Sequence, residues 1–316
     1  MDGYAAAREG SAVFDLPDRA LIAVSGPLRQ KFLHNILSND VASRTAGQGA
    51  RAALMDVKGH LLAFLRVVVD PGEILLEVAG GQADAVEQAL VHYRVAAPVR
   101  FARPPLAVIG LLGPGAADIL RGLGADVSDL VPESHVTADL AGTPMRVVRA
   151  SDLPAGGYVL YVPVDAREAV ITALRDKGTF PIERAALDVL RIEEGLPWFG
   201  PDVTEENLLH ETLLVKELHS STKGCYVGQE VIARLEARGG NVNKLLRGLR
   251  LAAPCAAGDA VHAAGKEVGR VTTAGVSPEL GAIAMAYVHR SAAEPGTAVL
   301  VSSGPATVAR LPLRDR

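Results

Sequence analysis

The 316-residue chain is 49% hydrophobic and 22% charged, the composition of a globular protein with room for two or three domains and a sizeable core. A net charge of −4 excludes the broad basic field of a dedicated nucleic-acid binder. Two cysteines, Cys225 and Cys255, are too few for a four-thiolate zinc or iron–sulfur site in one chain; they argue against a disulfide scaffold and fit a reducing compartment. Met1 to Gly10 carries Asp2 and Glu9 and no apolar core, so it does not read as a signal peptide. The longest apolar run, Leu61 to Val69, contains Arg66 and is too short to span a bilayer. The expectation is a soluble, cytoplasmic protein with neither membrane nor direct nucleic-acid partners.

Taken in order, Ala20 to Val24 reads as a strand, Ser25-Gly26-Pro27 as a turn, and Leu28 to Leu37 as a helix that ends near Ser38-Asn39-Asp40. Strands follow at Ala52 to Met55, Leu61 to Val69 and Ile74 to Val78, the first two hinged at Lys58-Gly59. Gln82 to Arg94 is a helix with Val86, Leu90 and Tyr93 inward. The pattern then recurs as a strand (Leu106 to Leu112), a Gly113-Pro114 turn, a helix (Ala116 to Leu123), a strand (Tyr158 to Val162) and a helix (Asp165 to Lys177). The Gly-Pro turns lie 87 positions apart, and Leu76 and Leu160 lie 84 apart, which points to a duplicated α+β unit.

Pro181 to Gly195 reads as a helix with proline in its first turn and glycine at its end. Leu196 to Ser221 is irregular, with a helical piece near Leu213 to Leu218. Gly239-Gly240-Asn241 is the best boundary, giving domains 1–240 and 241–316, the former divided near 105 and 195. Beyond it, Leu245 to Leu251, Glu267 to Thr273, Ala282 to Val288 and Ala298 to Val301 are short strands of a small barrel or sandwich.

Chemistry concentrates in Lys223-Gly224-Cys225-Tyr226-Val227-Gly228-Gln229-Glu230. Val231, Ile232 and Leu235 form the stripe of a short helix stopped by Gly239-Gly240, so Cys225 lies near a helix N-terminus with Lys223 two residues away. Unpaired amides and an ammonium favour a thiolate, and Gly224 and Gly228 allow a tight turn. The competing reading is a buried, inert thiol. His34 and His60 lack metal-ligand spacing and read as satisfied or exposed side chains. No Gly-x-Ser-x-Gly elbow or phosphate-binding glycine loop occurs.

Leu190-Arg191-Ile192-Glu193-Glu194-Gly195 followed by Trp198-Phe199-Gly200-Pro201-Asp202 resembles the glycine-cleavage T-protein, a folate-dependent aminomethyltransferase. There the stretches read Leu-Arg-Leu-Glu-Ala-Gly and Tyr-Gly-x-Asp. Gly269-Arg270-Val271-Thr272, Ser277-Pro278 and Ala284-Met285-Ala286-Tyr287-Val288 look like that family's barrel. Lys-Gly-Cys-Tyr-x-Gly-Gln-Glu is the signature of the YgfZ-type branch, folate-binding proteins linked to iron–sulfur cluster assembly or repair. The resemblance implies two intertwined ferredoxin-like α+β lobes and a C-terminal β-barrel around a central tetrahydrofolate channel.

It also implies site residues. Glu193 matches the carboxylate that holds the pterin ring, a group able to accept two parallel hydrogen bonds. Asn39, Asp40, Tyr226 and Gln229 are further cofactor-binding candidates; Asn39 and Asp40 also suit a turn. Lys58 and Arg66 are weaker candidates for the folate's glutamate tail. Cys225 would be a redox thiol or transient iron ligand, kept ionised by Lys223. The family's catalytic aspartate, in a Gly-Gly-x-x-Asp-Asp stretch, meets Gly59-His60-Leu61-Leu62-Ala63-Phe64 here, so Leu62 to Phe64 offers no carboxylate and a true aminomethyltransferase is not expected. The leading expectation is a tetrahydrofolate-binding accessory factor whose partners are iron–sulfur enzymes or cluster carriers, including tRNA-modifying radical enzymes. The alternatives are a one-carbon transferase with a different base and a client-stabilising module with a structural Cys225.

Overall fold

A computed structural model describes residues 2–140 and 142–314. Contacts divide the chain into a first unit, Met1–Ile182 with Lys216–Gln229, and a second, Glu183–Val215 with Glu230–Arg316. The first unit opens with α1 (Gly3–Glu9), whose start is capped by the Asp2 side chain accepting from the Ala5 amide at 2.8 Å. There follow β1 (Ala12–Asp15), β2 (Arg19–Ser25), α2 (Arg29–Ile36), β3 (Gly49–Met55), β4 (Leu61–Val69), β5 (Glu73–Ala79), α3 (Ala83–Arg94) and β6 (Arg100–Ala102). The second copy is β7 (Leu106–Leu112), α4 (Ala116–Gly122), β8 (His135–Leu140), β9 (Thr143–Arg149), β10 (Tyr158–Pro163), α5 (Arg167–Asp176) and β11 (Phe180–Pro181).

Both copies run strand, helix, three strands, helix, strand, and their sheets match. One sheet has the order β3-β4-β5-β2-β6; the other has β8-β9-β10-β7-β1-β11. Ile22 pairs with Leu76 across β2 and β5, and Ile109 pairs with Leu160 across β7 and β10. The sequence spacings therefore reflect equivalent strand pairs. Gly26 and Gly113 both take positive φ, +109° and +97°, at the equivalent strand-to-helix turns. The added strand, β1, comes from ahead of the first copy yet lies in the second copy's sheet, so the lobes are intertwined. Each sheet has its own apolar core, one built around Ile22, Leu33, Leu65 and Leu76, the other around Ile109, Leu120, Val147 and Leu160.

Next come α6 (Arg184–Glu194), α7 (Val215–Leu218) and α8 (Gln229–Ala237), then the barrel strands β12 (Lys244–Leu251), β13 (Ala260–Ala263), β14 (Lys266–Ser277), β15 (Gly281–His289), β16 (Ala298–Val301) and β17 (Gly304–Ala309). These six close in the order β12-β15-β14-β13-β16-β17, a barrel and not a sandwich. Helix α6 lies against β14, and a Cβ on Gly275 would stand only 2.7 Å from Val189 Cγ2. That close packing is why the second unit begins at Glu183, well before the first barrel strand. The expected proline at the helix start is corrected: Pro181 pairs with Val13 in the sheet, and α6 begins at Arg184. Gly195 ends α6 in the left-handed conformation, φ +65°. Among the described residues no helix is long and apolar enough to cross a membrane.

Candidate functional site

In the first unit the site grows from the C-terminal end of α2. The last carbonyls of a helix lack intrahelical donors, and that end carries partial negative charge. Lys223 meets both needs, its Nζ donating to the carbonyls of His34 and Leu37. Burial lowers this ammonium's pKa to about 8, with nearby Asp40 opposing the shift. The Tyr226 ring lies beneath it, 4.7 Å from Nζ to the centroid, and His219 stands 5.9 Å from Tyr226.

The segment around α7 is sewn to the same place. Ser38 Oγ donates to the Leu218 carbonyl and accepts from the Ala53 amide, while the Ser220 amide donates to the Ser38 carbonyl. Asn39 Nδ2 donates to the carbonyls of Arg51 at 2.8 Å and Glu217 at 3.0 Å. Asp40 accepts from the Ser43 amide and lies 3.2 Å from His34 Nδ1. The Ser43 hydrogen bonds hold its carboxyl below the usual range.

Asn39, Asp40, Lys223 and Tyr226 thus form one cluster. Cys225 is exposed with a free thiol, so the expectation of a buried side chain is corrected. The Lys223 ammonium donates to the carbonyls of α2. One further expectation is corrected. Gly224 has no left-handed φ and nothing within 4 Å of an added Cβ, whereas Gly228 has φ +82° and a Cβ there would meet the Asp56 carbonyl at 2.8 Å. Only the second glycine is demanded by the turn. Gln229 is half-buried and opens α8, four positions after Cys225.

Among the earlier histidine and tail candidates, His34 accepts from the Ala42 amide at 3.2 Å, and His60 faces Asp56 at 3.5 Å. Lys58 is exposed on the β3–β4 turn. Arg66 is no tail ligand. It is 3% exposed and bound to Glu77, Glu133 and Asp152. No group of three or more His, Cys, Asp or Glu side chains suited to a metal occurs among the described residues.

In the second unit, Glu193 is fully buried on α6, and its Oε1 accepts from Ser277 Oγ at 2.5 Å. Its backbone carbonyl accepts from the amides of Leu313 and Arg314. Glu194 is half-buried. Two residues before Glu193, fully buried Arg191 donates to Asp202 Oδ2 at 2.7 Å and to the Leu196 carbonyl at 3.1 Å, and stacks 4.4 Å from the Trp198 ring. Asp202 also accepts from Thr272 and Thr273 hydroxyls and the Trp198 amide. The sequence reading quoted Arg191 and Asp202 as a motif but gave them no role; their pairing fastens the Trp198–Asp202 loop to β14.

Residues 2–216 match the GCVT N-terminal domain, and residues 244–315 match the glycine cleavage T-protein C-terminal barrel domain. The chain belongs to the glycine-cleavage T-protein family. An aminomethyltransferase of Saccharopolyspora erythraea is 31% identical, over 98% of this chain and 89% of the relative. One of Streptomyces avermitilis is 30% identical, over 94% and 83%. A putative chloroplastic transferase of Arabidopsis thaliana is 28% identical, over 92% and 68%. The crystal structure of aminomethyltransferase T of the glycine cleavage system from Bartonella henselae superposes with a TM-score of 0.89 at 23% identity, covering 98% of this chain and 88% of that one. The α+β fold with its C-terminal barrel is thus the T-protein fold.

Proposed function

We propose that this member of the T-protein family is of the YgfZ type: it binds tetrahydrofolate, transfers no aminomethyl group, and serves iron–sulfur enzymes or cluster carriers through Cys225. The observation that carries the reading is at β4. Around the place of the family's aspartate pair, Leu62 to Phe64 offers no carboxylate, and Ala63 and Phe64 are 1% and 8% exposed. Hydrocarbon there can neither accept a proton nor stabilise positive charge.

The donor set fits the cofactor in kind. A carboxylate has about four acceptor positions, and Ser277 occupies one of those on Glu193. When bound, tetrahydrofolate supplies amino and N–H donors for Glu193 and a reduced pterin for one-carbon or redox chemistry. Because Glu193 is fully buried, pterin contact requires the covering groups to move aside. Asn39, Asp40, Tyr226 and Gln229 are the residues of the first unit assigned to the cofactor. Exposed Cys225 can reach a partner protein and lend one ligand to iron in a complex.

A second reading, aminomethyl transfer, is favoured by the names of the relatives that match over nearly the whole chain. Tetrahydrofolate titration and a single-turnover assay for methylenetetrahydrofolate separate the two. Binding without turnover, lost by about tenfold or more in Glu193→Ala, is expected. Turnover would establish the second reading, and absence of binding would remove both. The cluster role is tested in cells lacking the gene, complemented with wild type or Cys225→Ala, by the activity and cluster content of a [4Fe–4S] enzyme. Restoration by wild type alone is expected. Equal restoration by both would take the thiol out of the mechanism.

A further inference from the structure

The second unit contains a cavity of about 570 Å³ lined by the Pro201–Asn207 loop and by β12, β14 and β15. Glu193 is not among its lining residues, so it stands apart from the proposed pterin contact. Most of its charged groups are already engaged. Asp202 is bound by Arg191, Thr272 and Thr273; Arg270 is bound to Glu267 at 3.0 Å and to the Gly258 carbonyl at 2.8 Å.

Two donors are not. Tyr287 is 9% exposed, and its Oη has no hydrogen-bond partner among the described residues. A buried hydroxyl without a partner costs about 1–3 kcal/mol, so such groups ordinarily mark a ligand, water or strain. Burial, with Glu211 and Asp202 nearby, raises the phenol's pKa and keeps its proton in place. Lys244 Nζ lies 5.2 Å from the Tyr287 ring centroid. Its ion pair with Glu211 is long, 3.7 Å, and that carboxylate also accepts from Asn207 Nδ2 and the Leu208 amide.

We propose that this cavity binds a small organic monocarboxylate, its carboxylate taking the donors of Lys244 and Tyr287 and its apolar body facing the walls that include Pro201 and Val268. A phosphate dianion suits the lining less, because Asp202, Glu206 and Glu267 oppose a second negative charge. A cationic ligand would face the ammonium with only exposed Glu206 unengaged among the lining carboxylates.

The test uses the full-length, isotope-labelled protein titrated with benzoate, benzylamine or inorganic phosphate and followed by amide chemical shifts. Benzoate is expected to give saturable shifts at Lys244, Arg270 and Tyr287, with no saturable response to the other two probes. Lys244→Met is expected to weaken benzoate by about tenfold, and Tyr287→Phe by about threefold. Tyr287→Phe removes only an unpartnered hydroxyl, so it should melt no lower than wild type and report on binding alone. Tighter binding of phosphate or benzylamine, benzoate shifts elsewhere or none at all, or an unchanged affinity in Lys244→Met would each overturn the proposal.

Discussion

Lys223 shows how one side chain of a motif can also serve the fold. Its ammonium satisfies two carbonyls at the end of α2, and burial lowers its pKa from 10.5 to about 8. Between those values the unfolded chain holds a proton that the folded chain has released. Unfolding free energy therefore rises with pH in that window. Deprotonation does not cost the contact, because a neutral amine keeps two N–H donors for two carbonyls. Wild type is expected to gain stability relative to Lys223→Met between pH 8 and 10.5. Paired thermal melts at pH 7 and pH 10 check this; a difference between the two proteins that is constant or shrinks would refute it.

At the scale of elements, the segment from α7 into α8 is held by backbone geometry as much as by side chains. Gly228 packs against the β3–β4 turn with left-handed φ, while Gly224 stands in open space. Gly228→Ala is expected to cost about 1–3 kcal/mol in urea unfolding and to speed proteolysis at Lys223, with Gly224→Ala within about 0.5 kcal/mol of wild type. Equal effects of the two would remove the argument. The sequence carried the positions of both glycines but not their φ, so it weighted them alike. It was more informative about strands: β4 is a long apolar run, visible without a partner, and the recurring Gly-Pro turns exposed the duplication. The short β1 and the β8–β9 hairpin lack that signature. Four residues are too few for periodicity, and β8 is buried only at its ends, His135 and Leu140, with Thr137 and Asp139 exposed. Within the site, Asn39, Asp40 and Tyr226 were legible as candidates through the family resemblance, Tyr226 also because it adjoins Cys225. The open Lys244–Tyr287 pair was not, since its members lie 43 positions apart and meet only through barrel closure.

At the scale of the whole molecule, the misreading of Arg66 is the most informative. A single basic residue in an apolar strand looks like an exposed edge position, because its counter-charges are distant in sequence. Folding brings three carboxylates to it: Glu77 at 3.2 Å, Glu133 at 2.5 Å, and Asp152. Arg19 and Arg51 balance the group, and Tyr161 donates to Glu77 at 2.7 Å. Arg66 belongs to the first sheet and Glu133 and Asp152 to the second copy, so the cluster joins the intertwined lobes of the first unit. Arg66 and its neighbour Arg51 hold the Asp152 carboxyl far below the usual carboxylate range, against the opposing effect of burial. A carboxyl depressed in the folded state contributes stability above its unfolded value near 3.8, lost as pH falls below it. Arg66→Met reverses the sign, since buried carboxylates without their partner bind protons more tightly than in the unfolded chain. The variant is expected to lose about 3–5 kcal/mol at pH 7. Its deficit against wild type should narrow on acidification towards pH 4, as Asp152 without Arg66 takes up a proton more readily than the wild-type Asp152, which Arg66 keeps ionised. Urea unfolding of both proteins at pH 7, 5.5 and 4 measures this difference directly. A deficit independent of pH would assign the loss to packing and deny the cluster its electrostatic role.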